Sequence, residues 1–89
     1  MKVLFSAQAL EQYAEWAMTD RKTFRKLNTL IQDCRRHPFA GLGKPEALRH
    51  LSGGWWSRRI SQEHRLIYRV AGLGDDQRLE IQRCHGHYT

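Results

Sequence analysis

The 89-residue chain has only two cysteines and two prolines. Cys34 and Cys84 allow one bridge at most, too few for a disulfide framework, so reduced thiols are the expectation. No apolar run approaches the roughly 20 residues that span a bilayer. The apolar start Val3-Leu4-Phe5 is far too short for the core of a signal peptide, so a soluble, cytoplasmic protein with no membrane partner is expected. Acidic residues are scarce as well: nine against fifteen lysines and arginines, giving a net charge of +6 and a pI near 9.9. Such a surplus favours an acidic partner, whether nucleic acid, an acidic protein or an anionic membrane surface, and charge alone does not choose among them. The chain has no internal repeat and no low-complexity stretch. Its length suits one hydrophobic core, hence a single domain over residues 1–89.

What is present reads as a scaffold around one unusual stretch. Residues 2–6 carry the β-formers Val3 and Phe5 and end on Ser6, a helix N-cap. Over residues 7–18, Leu10, Tyr13, Ala14 and Ala17 fall at helical spacing, with Glu11, Gln12 and Glu15 on the opposite side. Asp20 caps a second helix whose apolar face is Phe24, Leu27, Leu30, Ile31 and Cys34. Pro38 ends it by His37, leaving Arg35 and Arg36 in the last turn, where the helix dipole favours cations. Arg21, Lys22, Arg25, Lys26 and Gln32 form a basic face, read either as an ordinary solvated surface or as a footprint for a partner or RNA. A glycine-containing loop follows, then three strands over residues 55–61, 64–71 and 78–84, joined as antiparallel hairpins. The result is an α+β fold, two N-terminal helices on a small antiparallel sheet in β-α-α-β-β-β order.

Residues 44–65, KPEALRHLSGGWWSRRISQEHR, concentrate arginine, histidine and tryptophan. Strand alternation puts Trp56, Arg58 and Ile60 on one face and Trp55, Ser57 and Arg59 on the other. In the next strand, Leu66, Tyr68 and Val70 oppose Arg65, Ile67 and Arg69. Arg59 and Arg65 are therefore expected together as a cationic floor on the face away from the helices. Phosphodiester cleavage by an internal 2′-hydroxyl needs a base, an acid and fixed cations. Glu46, Glu63, His64, His85 and His87 are candidates for proton transfer. Arg49, Arg58, Arg59 and Arg65 are candidates for the phosphate, since a planar guanidinium binds it through two parallel bonds. Trp56 is expected inside, while Trp55 is a candidate for stacking on a base. Cys84-His85-Gly86-His87 lacks the second ligand pair of familiar zinc spacings, so no metal or other cofactor is expected.

The strings Gly43-Lys44-Pro45-Glu46 and Trp56-Ser57-Arg58-Arg59-Ile60, Glu63-His64-Arg65-Leu66-Ile67-Tyr68, and the closing His87-Tyr88 resemble the YoeB (Txe) branch of the RelE/ParE toxin superfamily. The likeness runs over the whole chain, including Tyr13, Trp16, Thr19-Asp20 and Arg35-Arg36-His37-Pro38-Phe39. It implies the toxin of a type II toxin–antitoxin system, cleaving mRNA in the ribosomal A site. Glu46 would be the general base and His87 the general acid. Arg65, helped by Arg59, would stabilise the phosphate, with Glu63 and Tyr88 completing the site and Tyr88 orienting the nucleotide. Arg49, Arg58 and Trp55 would contact RNA. The implied partners are the ribosome, mRNA and a small acidic antitoxin of the YefM/Phd type, and homodimers are common in that branch. The chain departs from the pattern at Arg49, at the doubled Gly53-Gly54, at His85-Gly86, at the added Thr89 and in its longer 72–77 loop. The rival reading is a non-catalytic toxin, either a ParE-like topoisomerase inhibitor or a protein that occludes the ribosome.

Overall fold

The computed structural model describes residues 1–87. Its elements are β1 (Lys2–Phe5), α1 (Ala7–Thr19), α2 (Arg21–Arg36), β2 (Glu46–Ala47), β3 (Trp56–Arg59), β4 (Arg65–Ala71) and β5 (Arg78–Arg83), with a 3-10 turn at Gly74–Asp76. The α+β class with two helices packed on a sheet is as expected. The sheet itself, ordered β1-β5-β4-β3-β2, differs in two respects. It has five strands, because β2 pairs with β3 through Glu46↔Ser57 and Ala47↔Trp56. It is also mixed, because β1 runs parallel to β5. Two residues after a proline give no period to read, and strand order is not a local property of sequence.

Both helices start at the residues expected. Ser6 Oγ accepts from the Ala9 amide at 3.0 Å and donates to Gln82 O at 2.7 Å, so one hydroxyl caps α1 and ties it to β5. Asp20 closes α1 and caps α2, accepting from the amide and hydroxyl of Thr23. Those bonds hold its carboxyl below the usual carboxylate range.

On α2 the buried residues are Leu27, Leu30, Ile31 and Cys34, with Phe24 half-buried, as the spacing predicted. On α1 the expected stripe is corrected. Leu10 is 55% exposed and Ala14 and Ala17 are also exposed, whereas Ala9 and Trp16 are buried. Residues 9, 12, 13 and 16 have the same helical spacing as residues 10, 13, 14 and 17. Trp16, with the most apolar surface to hide, decides between them, and its indole Nε1 donates to Cys84 O at 2.9 Å.

The expected alternation along β4 places Leu66 and Tyr68 in the core, with Leu79 and Ile81 of β5 beside them. Strict alternation would turn Cys84 away from the core that Ile81 faces. A β-bulge opposite Ile67/Tyr68 prevents this: Tyr68 pairs with Ile81 but Ile67 pairs with Arg83, so β5 carries one extra residue. Ile81 and Cys84 are then both buried, and the chain beyond Cys84 is aimed back toward the start of β4. The two cysteines are unbridged and buried. Among the described residues no helix is long and apolar enough to cross a membrane.

Candidate active site

Gly43 and Lys44 turn the chain over the edge of the sheet. Both have positive φ, 78° and 53°, and a Cβ on Gly43 would meet Leu30 Cδ2 at 2.9 Å and Arg59 O at 3.0 Å. The turn is secured by the Arg59 amide, which donates to Gly43 O at 2.7 Å. A lysine in left-handed backbone is strained, and such strain collects where a side chain must be aimed. Pro45 follows, and then Glu46 opens β2 opposite Ser57.

A pocket of about 260 Å³ lies here, lined by Lys44, Glu46, Ser57, Arg59, Arg65 and His87. Three cations thus surround one carboxylate and one imidazole. Arg59 and Arg65 are direct cross-strand partners, the juxtaposition predicted from alternation. Like charges in that position repel. Part of the repulsion is offset because Arg65 Nη1 donates to the carbonyls of Ser61 at 2.7 Å and of Gln62 and His64 at 3.2 Å. Those bonds also hold the buried Arg65 in one orientation, whereas Arg59, Glu46 and His87 are exposed.

His87 reaches the pocket because the tail before it is clamped. The Cys84 amide donates to Gln12 Oε1 at 2.7 Å, and Trp16 holds Cys84 O. Gly86 donates its amide to His64 Nδ1 at 2.8 Å, and its carbonyl accepts from the Arg65 amide at 3.0 Å. His85 is exposed and packs against Trp16 and His64, with ring centroids 5.3 and 4.5 Å away. Cys84 Sγ faces Ala9 O in the core, so the cysteine and the tail histidines point to different places. Gly86 has a φ of +80°, so glycine before His87 suits the backbone of this turn.

The remaining expected site residues are placed as follows. Arg49 lines a neighbouring cleft of about 650 Å³ with Phe39, Pro45, Glu46, His50 and Trp56; Glu46 is common to both. Trp56 is half-buried and packs against Phe39, ring centroids 4.9 Å apart and planes tilted by 45°. Glu63 is exposed in the β3–β4 turn and is not among the residues lining the Glu46 pocket. Trp55 lies on the correct face but beside Leu4, Glu80 and Gln82, away from Glu46 and His87. The Arg69 guanidinium covers one face of its ring at 4.4 Å, so a base stacking on that face would have to displace the cation. Tyr88 and Thr89 lie outside the described residues.

Arg58 is the clearest correction. It is fully buried and cannot serve as an RNA contact without leaving its place. Its guanidinium donates to Asp33 Oδ2 at 2.5 Å, Tyr68 Oη at 3.1 Å, Leu42 O at 3.0 Å, Ala40 O at 2.9 Å and His37 O. Arg58 therefore fastens the loop after α2 to the sheet. Tyr68 joins in, donating to Pro38 O at 2.6 Å, and burial pushes its hydroxyl up to about 12. The Leu42 amide and the Arg58 guanidinium hold the Asp33 carboxyl below the ordinary range. Because the loop fastened this way leads directly into Lys44 and Glu46, Arg58 supports the pocket from behind.

Sequence reasoning missed Lys44 and Ser57 as lining residues and did not foresee that Gln12, Trp16 and His64 would clamp the tail. Lys44 stood inside the quoted Gly-Lys-Pro-Glu string, and that was the available signal.

A family model described as "YoeB-like toxin of bacterial type II toxin-antitoxin system" matches residues 5–88. The chain belongs to this family. It is 47% identical to toxin YoeB of Escherichia coli K12 over 88 residues, covering 99% of this chain and 100% of the relative. The structure of a YoeB/ParE toxin from Agrobacterium tumefaciens superposes with a TM-score of 0.94 at 48% identity, covering 99% and 100% of the two chains. YoeB of Staphylococcus aureus has been solved as a dimer (TM-score 0.86, 38% identity) and in a heterotetrameric complex with YefM (TM-score 0.84, 39% identity), each covering 99% of this chain and 98% of the relative. The toxin of a type II toxin–antitoxin system that the sequence resembled is therefore what this chain is.

Proposed function

We propose that the protein is a ribosome-dependent endoribonuclease that cuts mRNA in the A site through its Glu46–His87 pocket. Glu46 removes the proton from a ribose 2′-hydroxyl, whose oxygen attacks the adjacent phosphorus. The P–O5′ bond breaks, leaving a 2′,3′-cyclic phosphate, and His87 supplies the proton that the departing 5′-oxygen takes up. Arg65 and Arg59 stabilise the negative charge that builds on the phosphate, and Lys44 adds a third cation. The observation that carries this reading is that a carboxylate from β2 and an imidazole from the tail line one pocket with the Arg59–Arg65 pair.

The positive surface would add a salt-dependent affinity for ribosomal RNA and message. An acidic antitoxin is the natural inhibitor, supported by the YefM complex of the S. aureus relative, and the dimer of that relative supports self-association. The test is cleavage mapping on translating ribosomes with purified protein. Glu46→Gln and His87→Ala should each lower the cutting rate by about 10²–10⁴-fold. Both side chains are exposed, so neither change should alter stability by more than about 0.5 kcal/mol. Parent-like cutting by both variants would remove the catalytic assignment. Growth arrest without new mRNA ends would favour a toxin that acts by binding.

A further inference from the structure

The acid–base reading uses His87, yet nothing in it explains how a histidine so near the chain end is kept at the pocket. One contact that holds the tail beside His87 is the bond from the Gly86 amide to His64 Nδ1, at 2.8 Å. The same residue is held on its other side, where Gly86 O accepts from the Arg65 amide, and the His85 carbonyl, in the peptide unit that carries the Gly86 amide, accepts from Arg83 Nη2 at 3.0 Å. Gly86 is therefore gripped by two consecutive residues of one strand start. The φ of +80° at Gly86 is the conformation in which both bonds are made.

We propose that His64 is a positioning residue, a latch that fixes the tail and so places His87 in the pocket, and that protonation of the imidazole opens it. The bond requires a lone pair on Nδ1, so the closed latch holds His64 neutral with its proton on Nε2. Protonation would turn the acceptor into a donor facing another N–H. The Gly86 amide would lose its partner, while the backbone bond from the Arg65 amide would not be chemically affected.

The surroundings favour the neutral form. Trp16 meets the ring edge-on at 4.8 Å and His85 lies at 4.5 Å. The titratable groups facing His64 are His85 on the tail, Glu63 and Arg65 beside it, and Asp20 at the α1–α2 junction. Burial, His85 and Arg65 disfavour the imidazolium, Glu63 and Asp20 favour it, and the balance lies below the ordinary imidazole value. The latch is closed at neutral pH and opens on acidification. Trp16 serves both ends of the device, since its ring backs His64 while its Nε1 holds Cys84 O.

The consequence for cutting rests on the proposed function above, but the latch itself can be observed without RNA. Amide exchange protection of Gly86 and the imidazole signals of His64 would be followed by NMR on the full chain from about pH 8 to about pH 5. In the parent, Gly86 protection should fall about fivefold or more in step with the His64 titration, while Cys84 protection holds. His64→Asn, which keeps an acceptor near Nδ1 but cannot titrate, should keep Gly86 protected across the range. His64→Leu should leave Gly86 unprotected throughout and cut more slowly than the parent, whereas His64→Asn should cut near the parent rate. Gly86 protection that stays flat while His64 titrates in the parent would overturn the latch. That result needs no variant to fold. If His87→Ala cuts like the parent while Gly86 protection follows His64, the latch stands and the catalytic reading fails.

Discussion

Replacing Arg58 with alanine separates a core fastening from an RNA contact. Arg58 is wholly buried and its five hydrogen-bond acceptors include three loop carbonyls and the hydroxyl of a buried tyrosine. Truncation leaves a cavity where a long side chain stood, unpairs Asp33 and deprives the loop carbonyls and the buried Tyr68 hydroxyl of their donor. Removing one partner of such a buried arrangement costs about 3–5 kcal/mol. That is a large share of the roughly 5–15 kcal/mol by which a domain is stable. At about 4–8 °C per kcal/mol for a domain of this size, Tm should fall by at least about 12 °C. Urea unfolding followed by circular dichroism measures the loss. Arg58→Lys should recover only a small part, because one ammonium cannot reach five separated acceptors. An alanine variant within about 1 kcal/mol of the parent that nevertheless binds RNA weakly would refute the reasoning and return Arg58 to the binding surface.

Three other outcomes follow from the same fold. Burial raises the thiols of Cys34 and Cys84 to about 11 and about 12, so alkylation at pH about 8 should proceed only as fast as the protein unfolds; rapid labelling of the native protein would contradict this packing. Trp16→Phe keeps an aromatic ring but deletes the donor to Cys84 O, which should cost about 1–3 kcal/mol in urea unfolding and lower cutting with it. Stability should decline with acid in two stages. His64 binds its proton less readily folded than unfolded, so its contribution is complete above about pH 6.5 and erodes below it. The carboxyls of Asp20, Asp33 and Glu80 are held low in the folded state, so theirs is complete above about pH 5 and is lost as pH falls further. A flat stability curve between about pH 7 and about pH 5, measured by thermal unfolding, would contradict the first stage.

Much of the scaffold could be read from local patterns, because the physics there is local. Ser6 and Asp20 cap helices through bonds to amides three residues on, and the α2 face follows from its own spacing. The pairing of Arg59 with Arg65 was likewise legible, since alternation along two strands joined by a short turn leaves little freedom of register. Where two phases were equally periodic, as on α1, pattern could not choose. There the burial of Trp16, a contact with a strand from the other end of the chain, decided.

The site divides in the same way. Which residue types are present, the excess of positive charge and the family strings that suggested Glu46, Arg65 and His87 belong to the amino-acid order. Which arginines face solvent does not: Arg58 and Arg59 are neighbours, and the sheet sends one into the core to hold a loop and the other into the pocket. The bulge in β5, the backbone turn at Gly43 and Lys44 and the grip of His64 on Gly86 depend on strands meeting across the fold. Composition could supply a carboxylate and an imidazole. Only tertiary structure could put them in one pocket, because their separation is set by hydrogen bonds between segments far apart in the chain.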